Sequence, residues 1–400
     1  MKYIWIGSVK EPEDLEKMVK KGYSDLSGNN YQLSYIRAIE YASKSNVSIV
    51  NCLNFSENGK RKIKANKWNR KNEENVDIGF VNIPIISQVS KIKNIKYHLK
   101  SLLNKYKDED ICILIAAMST PLMSAAKVAK KLRKNNKNKT EIVQIVPDLP
   151  QFMNFNNDEK LKNILKKIDY IYMKKYLKFC NKFIFFTEEM SNYLNIKKHY
   201  IVIEGISDID KDYIKSKKTK HQIVYAGAIN DTFGIYELIE AFTMINTSTF
   251  ELLLYGNCKN KSKLLSKIKD VKNIKYMGIV SKDELMKIEK ESYFMINPRN
   301  SIGEYTKYSF PSKTIDYMIS GRPVIMYKLH GIPSEYDEHL VYIDDTGNHV
   351  NDIYNCLLKC MNMTEKEIEI IGLDAYNFIL NNKSYRVQGK KMIKFISGRQ

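Results

Sequence analysis

Residues 297–326 read NPRNSIGEYTKYSFPSKTIDYMISGRPVIM. The spacing predicts a strand ending at Asn297-Pro298, a polar loop, and a helix opening near Pro311, where a missing N–H costs nothing. A helix start presents N–H groups near Ser312 and Lys313 with a partial positive charge behind them. Arg299 and Lys313 flank that point. Amides, a dipole, a guanidinium and an ammonium gathered in one place suit a diphosphate. Asp316, one turn further along, could accept two hydrogen bonds from a ribose 2′,3′-diol. An ordinary amphipathic helix capped by surface charges accounts for the same residues.

Other constellations are weaker. D-x-D triplets occur at Asp108–Asp110 and Asp208–Asp210, but one precedes a strand and the other lies in a polar stretch. A metal-diphosphate site needs them at a strand's carboxyl end, so surface charge explains them better. The six His, His330 in its glycine-flanked loop included, show no ligand spacing, and no G-x-x-x-x-G-K-[ST] loop occurs. Of six cysteines none forms a C-x-x-C pair; Cys356 and Cys360 sit i, i+4 on an expected helix and read as packing. No metal and no cofactor is expected.

Elements must carry these residues into place. Four hundred residues, 44% hydrophobic and 28% charged, exceed one hydrophobic core and exclude collagen-like or disordered classes. The longest apolar run, ICILIAAM at 111–118, is far short of the ~20 residues of a spanning helix. The start, MKYIWIGSVKEPED, reads as a first strand rather than a secretion signal, so a cytoplasmic protein is expected. Strands are predicted at 3–7, 47–53, 78–83, 111–117, 141–146, 182–186 and 200–203. A second series lies at 222–226, 250–255, 273–277, 293–297 and 323–327. Helix-period stretches separate them, with capping boxes at Ser281–Glu284 and Thr364–Glu367. Alternation of this kind implies parallel sheets covered on both faces. The fold class expected is α/β, two tandem doubly wound Rossmann-like domains facing across a cleft. Residues 1–206 form the first domain, 207–221 a polar linker, 222–382 the second domain, and 383–400 a final helix that could pack back on the first.

The segment YSFPSKTIDYMISGRPVI (308–325) resembles the donor-site signature of the GT-B glycosyltransferases of family four, especially those of bacterial capsule and O-antigen clusters. IVYAGAINDTFGIYELIEAF (223–242), ELLLYGN (251–257), NIKYMGIVSKDEL (273–285) and HGIPSEY (330–336) follow in the family's order. IVPDLP (145–150), FFTEEMSNYL (185–194) and VIEGI (202–206) resemble parts of its acceptor domain. The resemblance implies a retaining transfer from a nucleotide-sugar, with neither a metal nor a covalent protein nucleophile. Asp316 matches the second acid of the family's Glu-x7-Glu motif, which binds the donor ribose; the first falls at Tyr308. Glu304, upstream, is the nearest substitute carboxylate. The family's basic pair falls at Ala228 and Phe233, leaving Arg299 and Lys313 to neutralise the departing diphosphate. Gly227, Gly278 and the run Tyr308, Ser309, Phe310, Pro311, Ser312 are expected to line the donor. Asp148 stands in the family's His–Asp step, which has lost its His here; it either contacts the transferred sugar or acceptor or caps a turn. Gly28 and Asn29 resemble the family's glycine-rich first loop on the acceptor side, and a plain turn before a helix explains them as well.

Sixty-five Lys and Arg against forty-five Asp and Glu give +20. Lysine concentrates at 60–71, 91–107, 127–139 and 160–178, several of which read as basic amphipathic helices with interleaved aromatics. That fits an enzyme held peripherally on the anionic inner face of the cytoplasmic membrane and acting on a lipid-linked oligosaccharide acceptor. A solvated charged face, enlarged by codon bias, fits too. Two further readings compete. A basic nucleic-acid-binding protein lacks any supporting motif, so no nucleic acid partner is expected. Nucleotide-sugar epimerisation on the same fold would need only the nucleotide-sugar.

Overall fold

Strand β1 (Lys2–Gly7) is buried along its whole length, as a central parallel strand covered on both faces must be. The computed structural model describes residues 1–19, 26–53, 59–152, 160–210 and 221–398. Most of the polar linker lies outside these. The chain divides into two units.

The first unit comprises Met1–Asp208, Lys307–Phe310 and Tyr385–Gln400. After β1 come α1 (Pro12–Val19), α2 (Leu26–Ser43) and β2 (Val47–Asn51). Four short strands follow: β3 (Lys62–Ile63), β4 (Asn66–Arg70), β5 (Glu73–Asp77) and β6 (Phe80–Val81). The remainder alternates as α3 (Ile86–Lys105), β7 (Ile111–Ile115), α4 (Thr120–Leu132), β8 (Thr140–Val146), α5 (Lys160–Leu177), β9 (Lys182–Phe185), α6 (Glu188–Leu194) and β10 (Tyr200–Val202). The sheet order is β10-β9-β8-β7-β1-β2-β5-β4, parallel except that β4 runs antiparallel to β5.

One expectation is corrected here. The strand predicted over 78–83 shrinks to β6, which pairs antiparallel with β3 in a separate ribbon. The lysine-rich run 60–71, for which no element is assigned from sequence, forms β3 and β4. Edge strand β4 exposes three of its five residues, so it carries almost no apolar period to read. Its anchors are polar: Trp68 Nε1 donates to Asp77 at 3.0 Å, and Arg70 pairs with Glu11 and Glu40.

The second unit, Ile209–Thr306 and Pro311–Ser384, opens with β11 (Gln222–Ala226), α7 (Ile235–Ile245), β12 (Glu251–Tyr255) and α8 (Lys261–Ile268). Next are β13 (Ile274–Gly278), α9 (Lys282–Glu291), β14 (Phe294–Asn297), α10 (Lys313–Met318) and β15 (Val324–Tyr327). It ends with β16 (Val341–Ile343), α11 (His349–Met361) and α12 (Glu365–Phe378). All six strands are parallel, in the order β13-β12-β11-β14-β15-β16. Thr364 and Glu367 close a full capping box on α12, whereas Ser281 accepts from the Glu284 amide on α9. Cys356 and Cys360 are buried free thiols on α11. No described helix is long and apolar enough to cross a membrane.

The last helix, α13 (Tyr385–Ser397), belongs to the first unit and lies along α2. Tyr385 meets Tyr41 edge-on at 5.3 Å, the Arg37 guanidinium lies 4.0 Å from the Tyr385 ring centre, and Met392 and Ile396 are fully buried. Lys182 Nζ donates to the carbonyls of Phe395 and Ile396, at 2.8 and 2.7 Å, which satisfies the helix C-terminus. Gly389 makes the approach possible, since a Cβ there would stand 2.2 Å from the Ala38 carbonyl oxygen. Replacing a helical Gly by Ala normally gains ~1 kcal/mol, but overpacking costs ~1–3 kcal/mol. Gly389→Ala is therefore expected to lower the melting temperature, and a rise would show that the two helices have room to spare.

Candidate active site

In the second unit the chain runs β11→β12→β13 to one edge, then returns to β14 beside β11 and continues outward to β16. Such a reversal leaves a crevice at the strands' carboxyl ends. Strands β11 and β14 pair through Ile223↔Phe294 and Val224↔Met295 and then part.

Loops from three strands gather there, and small residues let them meet. Gly256, after β12, has φ +124°, and a Cβ on it would lie 1.9 Å from the Gly227 carbonyl oxygen. Gly234, at the start of α7, would meet the Pro298 carbonyl oxygen at 2.2 Å. A Cβ on Gly227 would fall 1.3 Å from Lys313 Nζ. Only glycine lets that ammonium rest against the loop after β11.

The cations expected from sequence do converge on this point. Lys313 Nζ lies 4.9 Å from the centre of the Tyr225 ring, whose hydroxyl donates to the Ala228 carbonyl at 2.7 Å. The Arg299 guanidinium, from the loop after β14, sits 5.0 Å from the Tyr305 ring centre and 5.8 Å from that of Phe233. Phe233 occupies a position where the family resemblance places a cation. Arg299 arrives from the neighbouring loop and stands beside it instead. Burial depresses Lys313 to about 8; Asp316 and Glu289 pull it back up while Arg299 pushes it further down. An ammonium held this way is short of counter-charge, which is the state a diphosphate relieves.

Other sequence-predicted residues are placed as follows. Asp316 is exposed on α10, close enough to act on Lys313 electrostatically. Pro311 is buried, and its carbonyl accepts from the Thr314 amide at 2.8 Å; Ser312 is exposed. Helix α10 has only six residues, so its dipole is small and the two side-chain cations carry most of the positive charge. Gly278, at φ +75°, has open space around its Cβ position. Glu304 is exposed on the short turn Glu304–Tyr308.

Two placements differ from those expected. Tyr308, Ser309 and Phe310 group with the first unit, not with the donor-side unit. The Tyr308 ring is stacked 4.5 Å from Phe152 and lies edge-on to Tyr193 at 5.3 Å, so it is occupied as core packing. Gly28 and Asn29, expected in a loop, lie in the first turn of α2. Asn29 is fully buried and its amide is spent on Lys10, accepting from the backbone N–H at 2.6 Å and donating to the carbonyl at 3.0 Å. Asp148 is half-buried in the first unit, just after β8.

Three further groups escaped the sequence reading. Tyr317 is fully buried, and its hydroxyl bonds both peptide groups of Ala226. Glu289 is buried on α9, and burial together with the Asp316 charge pushes its carboxyl up to about 8. The available signal was its place: with Leu285 and Ile288 it shares the inward stripe of α9, where an acid is out of pattern. Asp345, His349 and Asp352 bring ligand-type atoms within 4.8 Å of one another. Asp352 there accepts from the Thr346 amide and hydroxyl, and Asp345 from Ser301 at 2.8 Å, which makes the group a hydrogen-bonded helix start.

Residues 220–361 match the family model described as Glycosyl transferases group 1. That stretch contains every site residue of the second unit named above. The chain is a glycosyltransferase of the GT-B fold. Sucrose-phosphate synthase from Thermosynechococcus elongatus superposes with a TM-score of 0.66 at 14% identity, covering 100% of this chain and 99% of its own. The lipopolysaccharide outer core galactosyltransferase WaaB, in its apo form, gives 0.64 at 12% with 100% of both chains covered. HepE of Anabaena, in complex with UDP, gives 0.63 at 12%, again with 100% of both covered. At these identities the likeness establishes the fold alone. No curated protein matches the chain.

The glycosyltransferase should carry the burial of Lys313 as a standing cost to its own stability. Lys313→Met is expected to stabilise the ligand-free protein at pH 7 by roughly 1–3 kcal/mol in chemical denaturation. A lysine whose native value is lowered binds fewer protons when folded between pH 8 and its ordinary 10.5. Wild type must therefore gain on the variant as pH rises through that window. A wild type already the more stable at pH 7 would show that burial does not strain the ammonium.

Proposed function

We propose that the second unit binds a nucleotide-sugar by its diphosphate and that the enzyme transfers the sugar, with retention at the anomeric carbon, to a saccharide acceptor. The single observation that carries this reading is Lys313 seated against Gly227 at the β11/β14 crevice, with Arg299 close enough to act on it electrostatically. The UDP bound by HepE supports a nucleoside diphosphate as the ligand class. The group 1 domain favours transfer over epimerisation.

As the bond between the anomeric carbon and the diphosphate oxygen breaks, its electron pair leaves with the diphosphate. Lys313 and Arg299 stabilise that growing charge, which is the term worth most in such sites. The acceptor hydroxyl attacks from the departing side, and its proton passes to the leaving phosphate oxygen. Asp316 holds the ribose diol. No step is assigned to a metal ion or to a covalent intermediate on the protein. Asp148, half-buried in the first unit, is the residue we assign to contact with the transferred sugar or acceptor.

We further propose a lipid-linked acceptor for cell-surface polysaccharide, reached by peripheral binding to the anionic inner face of the cytoplasmic membrane. The support is one face of the first unit. Helices α3, α4 and α5 lie side by side, as successive right-handed crossovers between neighbouring strands require. Beside the exposed Lys93, Lys96 and Lys100, α3 exposes Ile86, Val89 and Tyr97. Ile85, just before it, is 66% exposed at φ +66°, a strained conformation for a β-branched residue. Helix α5 adds exposed Ile168, Ile171 and Tyr172 beside Lys174 and Lys175. Apolar tips ringed by lysine match an anionic leaflet, at ~1 kcal/mol per cation near the surface.

A thermal-shift panel of UDP, GDP, ADP and CDP tests the donor reading. The matching diphosphate at about 100 times its Kd should add ~2.7 kcal/mol, and silence from all four would remove the reading. Lys313→Ala should lower kcat by about 10²-fold, while Asp316→Ala should chiefly raise the donor KM. For the membrane, sedimentation with phosphatidylglycerol vesicles should fall at least about tenfold in the pair Ile85→Asp, Val89→Asp. Binding as strong as wild type would rule out this face as the anchor.

A further inference from the structure

Parallel strands that part leave peptide groups facing nothing. Just past the end of β11 the Gly227 amide donates sideways to the Tyr255 carbonyl of β12 at 2.9 Å. Alternation then turns the N–H and C=O of Ala226 the other way, toward β14. The β14 ladder has already ended at Val224↔Met295. The Tyr317 hydroxyl fills the place of the missing strand: it accepts from Ala226 N at 2.8 Å and lies 2.9 Å from Ala226 O, to which it donates. The side chain is fully buried.

Tyr317 and Lys313 are i and i+4 on α10, hence on one face. The helix therefore grips the same loop twice, at Ala226 through the phenol and at Gly227 through the ammonium. We propose that Tyr317 is a positioning residue for the donor site: it locks the loop after β11 in register with α10, so that Lys313 is held where the diphosphate must lie. The inference rests on the diphosphate reading given above. Tyr317 touches no substrate itself; it acts through Lys313.

A double-mutant cycle on calorimetric affinity for UDP, with GDP, ADP and CDP in parallel, decides it. Tyr317→Phe keeps the ring and should weaken binding about five- to tenfold. If Tyr317 acts through Lys313, the double variant should bind within about twofold of Lys313→Ala alone. Wild-type affinity in Tyr317→Phe, or additive losses in the double variant, would overturn the inference while leaving the donor site intact. Wild-type affinity in Lys313→Ala would instead remove the diphosphate reading, and this inference with it. A measurement on the unmodified protein guards against a misfolded variant. In hydrogen exchange the Ala226 amide should be protected before any nucleotide is added, and fast exchange there would equally end the proposal.

Discussion

A parallel sheet can open a crevice only by unpairing its backbone, and the unpaired groups must find new partners inside the protein. A buried peptide group left alone costs ~1–3 kcal/mol, a large share of a domain's net stability. Both units meet this demand with side chains able to donate and accept at once. In the second it is the Tyr317 hydroxyl on Ala226. In the first, Gln32 of α2 accepts from the Ser8 amide at 2.9 Å and donates to the Ser8 carbonyl at 3.2 Å, just beyond the end of β1. Asn29 does the same for Lys10 and Asn51 for Val9. Three successive loop residues are thus fixed by amides. What sequence similarity offers as an acceptor-binding loop is locally a set of backbone plugs.

The same constraint explains how a site missing its expected cations still collects positive charge. Ala228 and Phe233 carry none, yet the loop they lie in is pinned tightly enough to receive charge from elsewhere. Arg299 reaches in from the β14 loop and is steadied by two aromatic rings; Lys313 comes from α10 and is admitted by a glycine. A guanidinium is weakly hydrated and tolerates ring contact. A lysine half-buried against a glycine loses hydration, and that loss is the main cause of its downward shift. Glu289 answers from beneath with a carboxyl pushed the other way. Both displacements have burial as their main cause, and opposed displacements of this kind cluster at functional sites.

How much of this was legible beforehand follows from what periodicity can report. Central strands such as IVYA of β11 or VIMY of β15 are continuous apolar runs, and the sequence places them correctly. Edge strand β4, NKWNR, is polar on both faces, so nothing in its pattern separates it from a lysine-rich helix. The segment 307–310 changes units because Tyr308 finds Phe152 and Tyr193, a tertiary choice with no local signature. Arg299 and Lys313 were visible because their types and their distance from a strand end and a helix start already imply anion chemistry. Tyr317 was not, because an inward Tyr on a helix reads as core until the divergence of two strands is known.

The net charge of +20 invites the thought that any of its many lysines might serve the donor, and distance-dependent screening argues otherwise. Two unit charges 4 Å apart interact by about 1 kcal/mol in bulk water but about 4 kcal/mol at the effective dielectric near a protein surface. Beyond ~8 Å, physiological salt removes most of what remains between exposed groups. On the proposal above, the exposed lysines of α3 and α5 act on an extended anionic surface, where many weak contacts add together. In the proposed donor site Lys313 works singly, because its partial burial removes much of the competing water. One chain can thus hold two separate electrostatic devices, one additive and salt-sensitive, the other local and set by desolvation. The second needs a rigid loop beside it far more than it needs neighbours of like charge.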